Sequence, residues 1–154
     1  MPDWTRPMEG GCRCDRVRLR ISAPPVFTVA CHCSGCQKMS SSAYSLSMAV
    51  PEPAFEVIAG ETVLGGLQGE AKHHFCGFCK TWMFSRIPML AGLVNMRPTM
   101  LDDHSWFAPF METCAADKLP WAETGAVRSY QTFPGEEEVG PLIAEFSAWL
   151  EARG

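Results

Sequence analysis

The sequence predicts a mainly β fold of antiparallel sheets with one helix near its C-terminal end. Two patterns support this fold class: several short segments alternate apolar and polar residues, whereas a single late segment repeats its apolar residues at helical spacing. The third observation is chemical, because eight cysteines fall mostly in short groups whose spacing is typical of metal ligands. We therefore expect sheets that are arranged around zinc sites.

Alternation is clearest over residues 15–22. Val17, Leu19 and Ile21 would face a core there, and the arginines between them would face solvent. This pattern predicts a half-buried strand, and the strand after it would complete a hairpin-like unit with a cysteine group at either end. The other predicted strands cover residues 26–30, 45–50, 55–59, 72–75, 81–85, 91–96 and 105–112.

The C-terminal segment changes to helical periodicity. Its apolar residues recur three or four positions apart, and Pro141 suits the first turn of a helix. These apolar residues are Leu142, Ile143, Phe146, Trp149 and Leu150. The sequence predicts a helix over about residues 141–152 and no strong helix before residue 138. The whole chain, residues 1–154, would then form one zinc-binding domain.

Composition narrows the classes of function. The chain has 154 residues and a mass of 17.0 kDa, with 47% apolar and 19% charged residues, which is typical of a folded domain. A formal net charge of −4 and a pI near 5.5 argue against a general affinity for nucleic acid. No apolar run is long enough for a membrane helix, and the first residues lack the pattern of a signal peptide. We therefore expect a cytoplasmic protein that binds neither membranes nor nucleic acid.

Seven of the eight cysteines form three short groups. The groups are Cys12 with Cys14, Cys31 with Cys33 and Cys36, and Cys76 with Cys79, and Cys114 stands apart. Cysteines one or two residues apart can direct two sulfurs at a point about 2.3 Å from each, which is the zinc–thiolate distance. A disulfide between such close neighbours would be strained. A cytosol also keeps thiols reduced, so the grouping indicates metal binding.

The seven grouped thiols divide as four plus three. Zinc takes four ligands in structural sites, and three protein ligands plus an open position in reactive ones. Two distant pairs, Cys12 with Cys14 and Cys76 with Cys79, would make a closed structural zinc site. The triplet Cys31, Cys33 and Cys36 would then hold a second zinc, and partial occupancy of this second site is left open.

The order of the cysteine motifs resembles one known family. The chain has C-x-C preceded by Gly10 and Gly11, then C-H-C-x-x-C followed by Gln37 and Lys38, then F-C-x-x-C that begins at Phe75. Ser40 to Ser42 follow the triplet, and the turn Leu101, Asp102, Asp103 also fits. This order is similar to the glutathione-dependent formaldehyde-activating enzyme family, which includes centromere protein V. The resemblance covers about residues 9–133. Members commonly carry glycine directly after the last cysteine, where this chain has Lys80.

This resemblance implies a tent-like β fold with two zinc sites that are divided in the same way. It also implies a carbon–sulfur lyase activity, in which glutathione and formaldehyde form S-hydroxymethylglutathione. The glutathione thiol would meet the zinc held by Cys31, Cys33 and Cys36, which makes these three the candidate catalytic residues. Glutathione is accordingly the expected substrate or ligand, and a small-molecule thiol is the expected partner.

The chemistry of a three-thiolate zinc agrees with such a role. Three thiolates leave the metal with one net negative charge, so it is a weaker Lewis acid than zinc held by histidines. A soft open site suits a further thiolate, which zinc keeps ionised near neutral pH. His32 lies between two of the ligands and would either act as an acid or tune a sulfur, although an ordinary structural role, with the ring pointing away from the metal, is favoured.

Several other residues carry weaker signals. Of His73 and His74, at most one can face a given site, because neighbours in a strand point in opposite directions. His104 follows the acidic turn, and its role is left undecided. Cys114 has no partner at metal spacing and is interpreted as a small buried apolar residue rather than a reactive thiol. Lys38 would either pair with a carboxylate of a peptide-like thiol or remain a solvated lysine.

A second class of function competes with the enzyme. The chain could be a zinc-stabilised binding module or a thiol carrier without catalysis. Two zincs on seven thiolates would take the formal charge from −4 to about −7, so nucleic-acid binding would need a local basic patch. The visible basic cluster is Arg13, Arg16, Arg18 and Arg20, which fits the solvated face of a strand. Strands with exposed edges would permit a homodimer, and the oligomeric state is left open.

Overall fold

The computed structural model describes residues 1–67 and 69–154 and is mainly β. Over these residues the chain forms eleven strands in two sheets and two α-helices, and the later helix lies at the C-terminal end. The predicted fold class is confirmed. The strands are β1 (Met8–Gly11), β2 (Arg18–Ile21), β3 (Phe27–Cys31), β4 (Ser45–Pro51), β5 (Phe55–Ala59), β6 (Thr62–Gly65), β7 (Lys72–Cys76), β8 (Trp82–Arg86), β9 (Leu93–Met96), β10 (Met111–Thr113) and β11 (Arg128–Ser129), and the helices are α1 (Ser34–Ser40) and α2 (Glu136–Glu151).

The chain divides into two compact units. The knuckle unit consists of Asp3–Pro25 and Met48–Trp106. The helical unit consists of Met1–Pro2, Val26–Ser47 and Phe107–Gly154. The prediction of a single domain stays a prediction.

Antiparallel pairing builds the knuckle unit. One sheet has the order β1-β2-β5, and in the other β9, β8, β7 and β6 follow the end of β4. Val17, Leu19 and Ile21 are buried, which confirms the inward face predicted for this segment. Because β2 pairs with β1 and β5, the expected hairpin with the next strand does not form.

Parallel pairing organises the helical unit. β10 pairs in parallel with both β3 and β11, so the prediction of purely antiparallel sheets is incomplete. Within this pairing Thr113 lies opposite Cys31, and the His32 amide donates to the Thr113 carbonyl at 3.0 Å. The carboxyl ends of β3 and β10 therefore meet, and they bring the residue after Thr113 beside the start of the cysteine triplet.

The sequence missed α1 and the start of α2. α1 buries none of its side chains, so it has no apolar stripe to reveal it. α2 begins at Glu136 rather than at Pro141, because the Glu138 carboxylate accepts a 2.8 Å hydrogen bond from the Gly135 amide and caps the first turn. Among the described residues, no helix has the length and apolar character needed to cross a bilayer.

α2 packs by an aromatic cluster. Phe146 is 1% exposed, and its ring lies 5.5 Å from that of Phe110 and 5.7 Å from that of Trp149. Phe110 is also fully buried. The helix is thus held by its apolar face, as its periodicity predicts.

Truncating this cluster should destabilise the fold. Phe146→Ala should lower the free energy of unfolding by about 3–5 kcal/mol, because it removes buried ring contacts and leaves a cavity. Urea denaturation followed by circular dichroism measures this change. Ser147→Ala, at an exposed position of the same helix, is the control and should be nearly neutral. A cost for Phe146→Ala no larger than that of the control would contradict the packing described.

The two histidines of β7 occupy opposite faces of the strand. His73 contacts Ser85 through Nδ1 at 2.8 Å, and His74 contacts Thr62 through Nδ1 at 2.9 Å. Burial lowers the pKa of both imidazoles, and the nearby charge of Arg97 for His73 or Arg86 for His74 lowers it further. Both rings are therefore held neutral at neutral pH.

These histidines should titrate late as the pH falls. Their folded pKa values lie below the ordinary value of 6.5, so they contribute stability that is present above 6.5 and lost as the pH falls through the folded pKa. Imidazole NMR signals should give midpoints below 6.5 for both rings. A midpoint above 6.5 for either ring would show that a carboxylate, rather than burial and cations, controls its environment.

Candidate metal centres

The first candidate centre gathers four cysteines in the knuckle unit. Each of Cys12, Cys14, Cys76 and Cys79 offers a sulfur, and all four sulfurs lie within 4.8 Å of one another. The sulfur of Cys14 lies 3.5 Å from that of Cys12 and 3.8 Å from that of Cys76. Tetrahedral zinc with bonds of about 2.3 Å places its sulfurs about 3.8 Å apart. The pairing of these distant motifs is the one that the spacing predicts.

A tight loop presents the first two of these sulfurs. The Cys12 amide donates to the Val17 carbonyl at 3.0 Å, which closes the loop between β1 and β2. Asp15 has a left-handed backbone with a φ of 59°, a conformation that suits aspartate better than most residues. The Val17 amide also donates to the Cys12 sulfur at 3.4 Å. The loop therefore aims its cysteines and stabilises negative charge on one of them.

A knuckle between β7 and β8 presents the other two. The Lys80 amide donates to the Cys76 carbonyl at 3.1 Å, and the Thr81 hydroxyl lies 3.1 Å from the Cys79 sulfur. Lys80 has a φ of 58°, which is the left-handed region that favours glycine. Lysine thus adopts here a backbone conformation that glycine takes more easily. Its ammonium donates to the Gly77 carbonyl at 2.6 Å, within the same turn.

Two contacts connect the loop with the knuckle. The Arg13 amide donates to the Thr81 hydroxyl at 3.3 Å. The Arg16 guanidinium lies 3.5 Å from the centre of the Phe78 ring, a cation–π geometry. Elsewhere in the predicted basic cluster, Arg18 pairs with Asp102 at 3.0 Å and Arg20 with Glu9 at 2.6 Å. The arginines of β2 are therefore paired with carboxylates.

Close sulfurs perturb one another's ionisation in this group. A backbone hydrogen bond from Arg16 lowers the pKa of Cys14, but burial and the neighbouring sulfurs outweigh it and raise the pKa to about 11. Burial raises the pKa of Cys79, yet the hydrogen bonds from Thr81 prevail and lower it to about 5. One thiol ionises readily and then opposes ionisation of its neighbours, a conflict that a bound dication would remove.

The second candidate centre gathers three cysteines in the helical unit. The sulfurs of Cys31, Cys33 and Cys36 all lie within 4.8 Å of one another, as the triplet spacing predicts. Cys31 ends β3, Cys33 is the N-cap residue of α1, and Cys36 lies in the first turn. The Cys33 sulfur accepts a 3.3 Å hydrogen bond from the Cys36 amide. The short helix, which the sequence did not predict, is what folds the triplet back on itself.

Gln37 fixes α1 in place. Its side-chain amide donates to the His32 carbonyl at 2.7 Å and to the Asp117 carbonyl at 3.0 Å. At the other end of the helix, the Ser40 hydroxyl donates to the Cys36 carbonyl at 2.7 Å. The motif residue that follows the triplet therefore ties the helix both to the cysteine loop and to a later segment.

The triplet shows the same electrostatic conflict as the first group. Interactions with Cys33 and Cys36 lower the pKa of Cys31 to about 2. Interactions with Cys31 and then Cys33 raise the pKa of Cys36, so these thiols cannot all ionise together without a cation. Burial, followed by the nearby charge of Cys31, raises the pKa of Cys114 to about 12.

His32 points away from solvent and meets a carboxylate. The ring is 0% exposed, and its Nε2 lies 3.0 Å from Oε2 of Glu112. Burial raises the pKa of Glu112, but hydrogen bonds from His32 and three further residues outweigh it and lower the pKa to about 2. Glu112 is therefore ionised and can only accept, so the His32 Nε2 carries the proton. Sequence reasoning missed Glu112, because a single glutamate in a weakly predicted strand has no signal of its own.

The remaining candidate residues lie at different places. Cys114 is buried directly after β10 and interacts with Cys31, but it lies outside the close group of three sulfurs. His104 contacts the Leu101 carbonyl through Nδ1 at 2.8 Å, which caps the acidic turn. His73 and His74 make the polar contacts described for β7.

Lys38 lies on the exposed face of α1 and lines an open pocket of about 670 Å³. Ser34, Gln37 and Ser41 share this face because they lie three or four residues apart along the helix. Leu119 and Trp121 also line the pocket, and Trp121 is 72% exposed. A cation beside an exposed aromatic ring is a combination that suits a small charged ligand.

Both groups offer the donor set that zinc prefers. All seven donors are free thiols, and none of these cysteines forms a disulfide. The knuckle unit can supply four sulfurs to one ion, and the helical unit can supply three. The first set resembles a closed structural site, whereas the second leaves one coordination position for another ligand.

Comparisons with known proteins agree with these motifs. Residues 7–117 match the glutathione-dependent formaldehyde-activating enzyme family. Two curated relatives bear that same name provisionally. One, from Penicillium rubens, is 30% identical over 103 residues, which cover 64% of this chain and 54% of that protein. The other, from Halomonas elongata, is 28% identical over 154 residues, which cover 93% of this chain and 96% of that protein.

One solved structure shares the fold. It is a crystal structure of a Rhodobacter sphaeroides protein, with a TM-score of 0.52 and 19% identity, and the match covers 62% of this chain and 88% of that one. The chain spans about half the length of the Penicillium relative. Because the family match covers most of the residues and includes all three cysteine groups, the chain belongs to the glutathione-dependent formaldehyde-activating enzyme family.

Proposed function

We propose that this protein is a zinc-dependent, carbon–sulfur lyase-like enzyme that handles glutathione, or another small thiol, and its aldehyde adduct. The observation that carries the proposal is the gathering of three sulfurs, Cys31, Cys33 and Cys36, with no fourth cysteine in the close group. Zinc in such a set would hold an incoming thiol as a thiolate at neutral pH. The family name supports glutathione as the thiol and formaldehyde as the aldehyde.

The proposed reaction joins sulfur to carbon without a redox step. The glutathione thiol gives up its proton, and the sulfur attacks the carbonyl carbon of formaldehyde. A carbon–sulfur bond forms while the carbon–oxygen π bond breaks, and its electron pair moves to the oxygen. That oxygen takes up a proton, so glutathione plus formaldehyde gives S-hydroxymethylglutathione with all atoms balanced. The reverse sequence would release the aldehyde.

The cysteines of the triplet are proposed to be the catalytic set, and His32 to support them. The His32 ring is buried and donates to Glu112. We therefore favour a role in orienting the cysteines over direct proton transfer to the substrate. Cys12, Cys14, Cys76 and Cys79 are proposed to hold a structural zinc. These thiols must stay reduced, which agrees with the expected cytoplasmic location.

The pocket beside α1 supports a peptide-like thiol. Lys38 and Gln37 reach it from the same helix that carries Cys33 and Cys36. A carboxylate of glutathione could pair with the Lys38 ammonium while the thiol reaches the triplet. Trp121 offers an apolar surface for the rest of the ligand.

A binding module without catalysis is the second candidate, and one observation favours it. Phe78 at the tip of the knuckle is 62% exposed and stacks with Arg16, which is an arrangement that protein partners commonly contact. In that case the zincs would only stabilise the surface, or the triplet would carry a thiol without converting it. A homodimer stays a prediction for either function.

Metal content should separate the two centres. We expect about two zincs per chain, and each of Cys76→Ser and Cys33→Ser should lose one of them. Cys76→Ser should also unfold at a much lower temperature, because structural zinc contributes about 10–16 kcal/mol of apparent binding energy in small domains. Cys33→Ser should keep nearly all of the stability. Metal analysis and thermal denaturation measure both effects. Equal loss of stability in the two variants would refute this division of roles.

Exchange spectroscopy should test the activity. With glutathione and formaldehyde, the protein should raise the rate of adduct exchange above the uncatalysed rate. Lys38→Glu should weaken apparent glutathione affinity by about tenfold, which corresponds to about 1.4 kcal/mol. Lys72→Glu makes the same charge change on an exposed lysine of the knuckle unit and is the matched control. Glutathione binding without any rate increase would favour the carrier, and absence of both would favour the binding module.

A further inference from the structure

Glu112 is a buried carboxylate on which several segments of the helical unit converge. Besides His32, its oxygens accept hydrogen bonds from Thr124 at 2.8 Å, Ser129 at 2.9 Å and Lys118 at 3.3 Å. His32 and Thr124 share Oε2, whereas Ser129 contacts Oε1. A carboxylate with this many donors is ionised and held rigidly.

The bond to His32 is the polar anchor of that ring. Nδ1 of His32 is buried and has no hydrogen-bond partner among the described residues, so Glu112 is the ring's one hydrogen-bonding contact there. The backbone of His32 is anchored to the same strand, because its amide donates to the Thr113 carbonyl. Residues 112 and 113 of β10 therefore hold both the ring and the main chain of His32.

The direction of His32 determines where its neighbours point. The chain leaves β3 in an extended conformation, and Cys33 has φ −58° and ψ 151°. In an extended chain residues i and i+2 share one face, and the residue between them points to the other. A His32 ring that is held inward thus places Cys31 and Cys33 together on the opposite face. This is the arrangement that lets two of the three sulfurs approach one ion.

We propose that Glu112 is a positioning residue for the three-cysteine centre and acts on it through His32. The inference rests on the proposed second zinc site and extends it to a residue about eighty positions away in sequence. Glu112 is not among the donors grouped at this centre, which are Cys31, Cys33 and Cys36. Its effect is to keep His32 inward, and so to preorganise Cys31 and Cys33. Partners of this kind commonly change metal affinity by about 10-fold to 100-fold when they are mutated.

The test compares Glu112→Gln with a control at the same carboxylate. Glu112→Gln keeps the shape of the side chain but removes the charge that the His32 Nε2–H donates to. Ser129→Ala removes a hydrogen bond from Oε1 and leaves the His32 contact intact. Both variants would be loaded with Zn²⁺ or Cd²⁺ in the full chain and titrated with a chelator. The four-cysteine centre of the same molecule serves as an internal reference.

Glu112→Gln should weaken metal affinity at the second centre by about 10-fold to 100-fold and leave the first centre unchanged. The ¹¹³Cd NMR signal of the second centre should shift, and the imidazole ¹⁵N signals of His32 should lose the pure Nε2–H pattern. Ser129→Ala should change none of these readouts, although it lowers thermal stability slightly. Loss of thermal stability in Glu112→Gln with unchanged second-centre affinity and cadmium signal would overturn the inference.

A second variant decides the matter if Glu112→Gln does not fold. His32→Phe keeps a buried ring but cannot donate to Glu112, so second-centre affinity should again fall, and unchanged affinity would overturn the inference. The proposed function fails separately. Weakened second-centre affinity in Glu112→Gln, together with no adduct exchange by the wild type, would support Glu112 while refuting the enzyme. One metal per wild-type chain would overturn both.

Discussion

Mutual repulsion between closely spaced sulfurs is the constraint on which this structure depends. Thiolates that lie within 4.8 Å of each other cannot all be charged unless a cation lies between them. Such crowded sulfurs occur twice in the chain, four in the knuckle unit and three in the helical unit. Short hydrogen-bonded loops hold the sulfurs of each group close together. Two dications would resolve the conflict, and the loops would then present the ligands.

The two centres differ in what surrounds the sulfurs. The first is reinforced locally, by the Thr81 hydroxyl on Cys79 and by the stacking of Arg16 on Phe78. Its four sulfurs come from two hairpin turns and would complete the coordination of one ion. The second rests on a network that begins behind it, in the buried pair of His32 and Glu112. A site with internal support and a free coordination position can exchange a ligand without losing its shape.

Local chemistry was readable from the sequence, whereas long-range placement was not. Cysteine spacing predicted both sulfur groups, and the alternation of Val17, Leu19 and Ile21 predicted the buried face of β2. α1 escaped prediction because caps and the Gln37 amide hold it rather than an apolar stripe. The parallel pairing of β3 with β10, and with it the role of Glu112, depends on residues too distant for any periodic pattern. The left-handed backbone at Lys80 was likewise unforeseen, because lysine carries no signal for it.

The pairing of β3 with β10 also bears on how the protein is made. A ribosome releases the chain from its N-terminal end, and folding can begin during synthesis. All four sulfurs of the first centre have emerged once Cys79 leaves the exit tunnel. The triplet emerges early as well, but Glu112 follows much later, so Cys31 and Cys33 spend part of the translation time without their support. The two sulfur groups should therefore be completed in two stages during synthesis, with the four-sulfur group first.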